Sequence, residues 1–167
     1  DIQANPAVGM DNSGNFVIAW QTGSPSDIFA RRYNSSGTPA GDPFQVDTAS
    51  YPGAEEAQEL PAVDMNGSGS FVVAWQSSKE EGSSANGKGV YFQRYDADGK
   101  EVGSQTRANL YAAGDQQQAS AALADDGTLI VAWQSDGQEQ AGTSSAPTQG
   151  IYVQRFDPNN FLLSADY

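Results

Sequence analysis

Apolar residues in this chain come in short bursts rather than long runs. The clearest are FVIAWQT at 16–22, FVVAWQS at 71–77 and LIVAWQS at 129–135, each ending in the same Trp-Gln pair. Alternate side chains of an extended strand point to opposite faces, so Phe16, Ile18 and Trp20 look one way and Val17 and Ala19 the other. Both faces are apolar. Such a strand has to be covered on both sides, which predicts a sheet lying between neighbouring sheets.

Aligning the tryptophans brings the rest of the chain into register. Trp20 to Trp75 is a step of 55 residues and Trp75 to Trp133 a step of 58, the period of a supersecondary unit. Each Trp strand is preceded by a second element: NPAVGMDNSG at 5–14, LPAVDMNGSG at 60–69 and QASAALADDG at 118–127. Each is followed by a third: DIFARRYNSSG at 27–37, GVYFQRYDADG at 89–99 and GIYVQRFDPNN at 150–160. A fourth appears in two repeats only, around PFQVDTA at 43–49 and SQTRANL at 104–110.

All these elements are short, rich in β-branched and aromatic residues, and bounded by Gly, Asn, Asp or Ser. No run of useful length has helical period. Tight Gly-bearing turns join the first strand to the second and the third to the fourth, so the unit is a four-stranded antiparallel meander. Its first strand carries small residues, Ala7, Val8, Ala62, Val63, Ala119 and Ala121, as crowding around a central axis demands. The predicted fold is therefore all-β, a β-propeller-like array of three four-stranded antiparallel blades at 1–50, 51–112 and 113–167. The last blade is expected to be incomplete and to lack its last strand, because FLLSADY stops where that strand should begin. Trp20, Trp75 and Trp133, with Phe16, Phe71, Ile18, Val73 and Val131, are expected to fill the space between blades. The alternative for the tryptophans is a sugar-stacking platform.

The run PAVDM, SGSFVVAWQS, GKGVYFQRYDADGKEVG resembles the tandem repeats of large secreted or cell-surface bacterial proteins. That resemblance implies a propeller-like fold and an extracellular, adhesive or structural setting, beside calcium-binding or cadherin-like modules. It carries no active site. Repeats one and three depart from the pattern, since ARRYNSSG lacks the Asp pair and QRFDPNN lacks the turn Gly.

Composition narrows the chemistry. The 167 residues hold 21 acidic against 8 basic side chains, a net charge of −13, with neither Cys nor His. A strongly acidic surface repels phosphate backbones and anionic lipid headgroups, so no nucleic-acid partner is expected. Nor is membrane insertion, since no run approaches the roughly 18 apolar residues of a membrane helix. Without Cys there are no disulfides or thiolate metal sites, and without His there is no imidazole base or ligand. The start at DIQANPAV, in mid-pattern, reads as a processed or excised piece of a longer protein.

Three sets of residues are candidates for chemistry. Asp96, Asp98 and Glu101 in YDADGKE surround a Gly turn, a spacing similar to oxygen-rich calcium loops, with Asp125 and Asp126 as a weaker second set. Asp, Asn and Gly are equally what hairpin turns select for backbone reasons. Arg32, Arg94 and Arg155 stand at one place in the third strand of each repeat, either gathered on a carboxylate substrate as in a sialidase or each lying over an aromatic ring and paired with a turn carboxylate such as Asp96 or Asp157. The connection from the Trp strand to the next grows along the chain, through SSKEEGSSANGKG and SDGQEQAGTSSAPTQG, and places exposed loops on one rim.

The resulting expectation is a non-enzymatic structural or adhesive module, secreted or at the cell surface, with a carbohydrate-binding propeller lectin as alternative and a sialidase-like glycosidase third. Three blades are fewer than the 4 to 8 of ordinary propellers, so partners are expected to be further copies, in a ring or head to tail, or adjoining repeats, with glycans beside them.

Overall fold

The Trp-Gln runs become the second strand of each of three antiparallel sheets. The computed structural model describes residues 2–47, 57–78, 87–136 and 149–164. Blade 1 holds β1 (Gln3–Met10), β2 (Phe16–Gly23), β3 (Ser26–Tyr33) and β4 (Phe44–Gln45). Blade 2 holds β5 (Gln58–Met65), β6 (Phe71–Ser77), β7 (Gly89–Tyr95) and β8 (Glu101–Arg107). Blade 3 holds β9 (Gln116–Leu123), β10 (Leu129–Asp136), β11 (Gln149–Phe156) and β12 (Leu162–Ser164). Within each sheet the strands lie in chain order, every neighbour antiparallel. The fold is all-β and propeller-like.

The outer strands differ from expectation. Blade 3 has one, but it is only three residues long and pairs Arg155 with Ser164 and Phe156 with Leu162. The missing turn Gly is replaced by Asn160, which takes a φ of 66°, in the left-handed region that Asn tolerates better than most residues. Blade 1 is no fuller at its edge, since β4 spans two residues. Among the described residues only β8 is a full outer strand, and it begins at Glu101, ahead of the predicted SQTRANL.

Each first strand carries the same irregularity. The register of β1 slips between Ala4 and Ala7, that of β5 between Glu59 and Ala62, and that of β9 opposite Ala132 and Gln134. At these bulges Asn5, Leu60 and Gln118 take positive φ of 50°, 51° and 56°. A bulge of this kind turns the backbone N–H out of its own ladder.

The core is two layers between blades. In the first, Val17, Ala19, Ile28 and Ala30 of blade 1 pack on Phe71, Val73, Trp75 and Tyr95 of blade 2. In the second, Val72, Ala74, Val90 and Phe92 of blade 2 pack on Leu129, Val131, Trp133 and Phe156 of blade 3. One rule generates both: the face bearing small and β-branched residues of one blade receives the Trp face of the next. Phe71, Val73, Trp75, Val131 and Trp133 are accordingly 0–1% exposed. Phe16, Ile18 and Trp20, expected in the core, are only half-buried, because no blade among the described residues lies on their side.

Candidate functional site

Polar residues at fixed register tie each blade to the next, and the candidate site is built from these ties. At the rim where β1 meets β2 and β3 meets β4, and at the matching turns of the other blades except β9–β10, which Ala124 heads, a side chain accepts two backbone N–H groups. Asp11 Oδ1 takes Ser13 and Asn15, Asn34 takes Ser36 and Thr38, Asn66 takes Ser68 and Ser70, and Asp96 takes Asp98 and Lys100. Asp157 does the same for Asn159 and Phe161. The bond that the Asn15 amide donates to Asp11 Oδ2, and then those from backbone N–H groups, hold the Asp11 carboxyl below its usual range against some burial. The turn residues are thus selected for backbone satisfaction.

This defines the setting of the calcium candidates. Asp96 Oδ1 is committed to two N–H bonds at 3.0 and 2.9 Å, while Asp98 and Glu101 are exposed. Asp126 of the second candidate set is held below its usual range chiefly by the Thr128 N–H, and Asp125 Oδ1 accepts the Gly67 N–H of blade 2 at 2.7 Å. Among the described residues no group of three or more acids is placed to hold a metal ion.

Arg94 crosses from blade 2 to blade 3. Its Nε donates to Asn160 Oδ1 at 2.6 Å, Nη1 to the Gly127 carbonyl at 2.7 Å and Nη2 to the Asp157 carbonyl at 2.9 Å. The guanidinium lies 5.8 Å from the Phe92 ring centre and the residue is 5% exposed. Burial draws its pKa below the ordinary guanidinium value, and nearby Asp157 partly offsets that. The aromatic neighbour matches expectation, but the bonds run to backbone carbonyls and an amide of the next blade rather than to a turn carboxylate. Arg32 lies in the same way over the blade 2 turn, where a Cβ on Gly99 would come within 2.6 Å of its Nη1. Arg155, at the same register of blade 3, is exposed. Arg94 thus bonds across the blade 2–blade 3 junction, and Arg32 lies across that between blades 1 and 2.

The Trp-Gln pair divides its work between blades. Trp75 Nε1 donates to Gln58 Oε1 at 2.9 Å and Trp133 Nε1 to Gln116 Oε1 at 3.0 Å, each within its own blade. The glutamine after the Trp faces the other way. Gln21 Oε1 accepts the bulge N–H of Leu60 at 3.2 Å, and Gln76 Oε1 that of Gln118 at 3.0 Å, each in the following blade. Ser26 Oγ adds a bond to the Gln58 carbonyl at 2.9 Å. Sequence reading missed these glutamine roles; their signal was the fixed distance from the Trp to the Gln 17 residues before it.

Clefts follow the junctions. One of about 230 Å³ between blades 1 and 2 is lined by Asp11, Asn15, Phe16, Arg32, Tyr33 and Met65, among others. Its counterpart between blades 2 and 3, about 250 Å³, includes Phe71, Arg94, Tyr95, Asp96, Asp125 and Asp126. A third, about 480 Å³, lies on the uncovered face of blade 1 around Pro6, Ile18, Trp20, Arg31 and Tyr33. Among the described residues Asp47 is the carboxylic acid with the most displaced pKa, pushed up to about 7 by burial first and then by the charge of Asp27, but it lines none of these clefts. It instead accepts the Ile28 N–H at 2.8 Å inside blade 1. The long connections on the opposite rim lie largely outside the described residues, at 79–86 and 137–148.

Neither a protein-family model nor a curated protein matches the chain. Solved structures do. A Hadza microbial sialidase is 18% identical with a TM-score of 0.63, over 90% of this chain and 35% of its own. An α-L-arabinofuranosidase from Lactobacillus brevis is 13% identical with a TM-score of 0.60, over 98% of this chain and 52% of its own. An endo-1,4-β-xylanase from Bacteroides thetaiotaomicron is 12% identical with a TM-score of 0.59, over 98% and 59%. The chain thus spans between about one third and three fifths of the structures it matches. These are β-propeller-type domains, and at such identity the likeness shows the fold. No helix among the described residues is long and apolar enough to cross a membrane.

Proposed function

We infer that the chain is a non-enzymatic structural repeat module of a secreted or cell-surface protein, whose polar residues, recurring at one register from blade to blade, hold blades together instead of handling substrate. One observation carries this reading. Arg94, the residue a sialidase-like site would need for a carboxylate, has Nε, Nη1 and Nη2 all engaged by the turns of the next blade. With a bond on each of its three nitrogens and the residue 5% exposed, the guanidinium is turned to the next blade and is not presented to a substrate carboxylate. The acidic surface and the resemblance of VVAWQS and QRYDADG to bacterial surface repeats support the extracellular setting.

A carbohydrate-binding role is the second reading, and the recurring clefts favour it. The first sets the half-buried Tyr33 ring beside the Asp11 carboxylate, and the second gathers Asp96, Asp125 and Asp126; a ring stacks on a sugar face and carboxylates accept its hydroxyls. The structures of similar fold are named for enzymes acting on carbohydrates.

Assay of the purified chain against aryl glycosides, sialosides included, separates the readings from an enzyme. No turnover is expected; turnover that Arg94→Ala abolishes without unfolding the chain would overturn the structural reading. Glycan-array binding lost in a Tyr33→Ala variant that keeps its fold by circular dichroism would establish the lectin instead.

A further inference from the structure

We propose that two copies of this chain close head to tail into a six-bladed ring, the uncovered face of blade 3 in each copy seating on the uncovered Trp20 face of blade 1 in the other. This deepens the structural reading by naming the partner, and rests on that reading only in treating the junction residues as joints.

The two internal junctions obey one rule, and the two outer faces are its unmatched halves. Blade 1 presents the Trp face: Met10, at the register of Met65, is 64% exposed where Met65 is 9%. Val8 is 63% exposed. Blade 3 presents the small and β-branched face: Ile151, at the register of Ile28 and Val90, is 73% exposed where both of those are 0%. Ile130, at the register of Val17 and Val72, is 42% exposed against 0% for each. Nothing new has to be invented for these faces to fit, since each already has its partner twice within the chain.

The polar ties point the same way. The indole N–H of Trp20 is buried without a hydrogen-bond partner. Trp75 and Trp133 both have theirs, from a Gln standing 17 residues earlier. Gln3 occupies that position before Trp20 and is exposed. A covering blade would press Gln3 inward to accept the indole. On the other side, Gln134 stands at the register of Gln21 and Gln76, and Arg155 at that of Arg94, near Asp126 of its own blade. Equivalence assigns their targets in the second copy: Gln134 Oε1 to the bulge N–H of Asn5, and Arg155 to the carbonyls of Gly14 and Asn34. Buried donors left unpaired are costly, which makes closure favourable beyond the apolar area it covers.

Two copies of three blades make six, within the range of about 4 to 8 that closes around an axis.

Size-exclusion chromatography with light scattering on the full chain tests this, with Ile151→Asp and Met10→Asp as separate variants. Both side chains are exposed in the single copy, so neither substitution needs to disturb its fold, which circular dichroism checks. Expected are twice the monomer mass, a dimer dissociation constant raised about ten-fold or more by either variant, and a red shift of tryptophan emission as Trp20 is uncovered. A monomer at every concentration, a mass that climbs past the dimer, or a dimer indifferent to both variants would each overturn the ring. Those outcomes leave the non-enzymatic reading standing, and glycoside turnover would sink that reading without moving the mass.

Discussion

Asp47 and Asn109 do the same work in successive blades. Asp47 Oδ1 accepts the Ile28 N–H and Asn109 Oδ1 the Val90 N–H, each at 2.8 Å and each buried. Only one is ionisable. Asp47 has a folded pKa of about 7 against 3.8 for the free side chain, raised first by desolvation and then by Asp27. Below the lower value it is protonated in both states and its burial costs no ionisation energy. Between the two values the unfolded chain releases a proton that the folded chain keeps, so stability falls as pH rises and levels off above about 7. Asp47→Asn keeps the acceptor and removes the charge. Chemical denaturation should show it more stable by about 1–3 kcal/mol at pH 8 and equal to the parent near pH 3. A second residue-scale contrast concerns the indole partners. Gln116→Ala leaves the buried Trp133 N–H unpaired and should cost about 1–3 kcal/mol, whereas Gln3→Ala in a single copy removes nothing and should cost under about 0.5 kcal/mol.

The bulge in each first strand is the element on which the blade junction turns. Leu60 holds φ at 51°, where a branched side chain is strained, so that its N–H can reach Gln21 of the preceding blade. Leu60→Gly should relieve that strain, and since the side chain is 36% exposed little packing is lost. A gain of about 0.5–1 kcal/mol in thermal or denaturant melting is expected, and a loss of similar size would mean the leucine packs more than its exposure implies. The turns tell a similar story. Asp96→Ala removes an acceptor of two backbone N–H groups and should cost about 1 kcal/mol, the same with and without calcium. Millimolar calcium is expected to leave the melting temperature unchanged. A calcium-dependent rise that Asp96→Ala, Asp98→Ala or Glu101→Ala removes would assign those residues to a metal.

At the scale of the whole molecule, charge and shape pull in opposite directions. Each copy carries −13, so a ring of two carries twice that, −26, and long-range repulsion opposes its closure. Salt screens that repulsion over a Debye length of about 8–10 Å, while the apolar faces it leaves in contact are untouched. Dimerisation should therefore strengthen from low to physiological ionic strength, with sedimentation as the readout. Weakening by salt would mean that Arg155 and its targets dominate the junction instead. Arg94→Ala belongs to the same scale. It cuts three bonds from blade 2 to blade 3 and should destabilise the chain by about 2–4 kcal/mol, unfolding blade 3 first in hydrogen exchange.

Local pattern carried a large part of this architecture. FVIAWQT, FVVAWQS and LIVAWQS name the second strands, the Asx-Gly turns mark the hairpins, and the period locates three blades, because strand alternation and turn chemistry depend on near neighbours. Which apolar residues are buried was not local. Trp20 reads the same as Trp75 in sequence and differs in having no blade against it among the described residues. The outer strand of blade 3 likewise exists because Asn160 takes the conformation that Gly37 and Gly99 take elsewhere. The role of Arg94 and of the Gln after each Trp required the neighbouring blade to be in place, since their partners lie 33 to 66 residues away. Sequence alone determined what each blade is made of; packing of blade on blade decided which polar groups became joints, because a hydrogen bond between sheets is fixed by register across the gap and leaves no periodic trace along the chain.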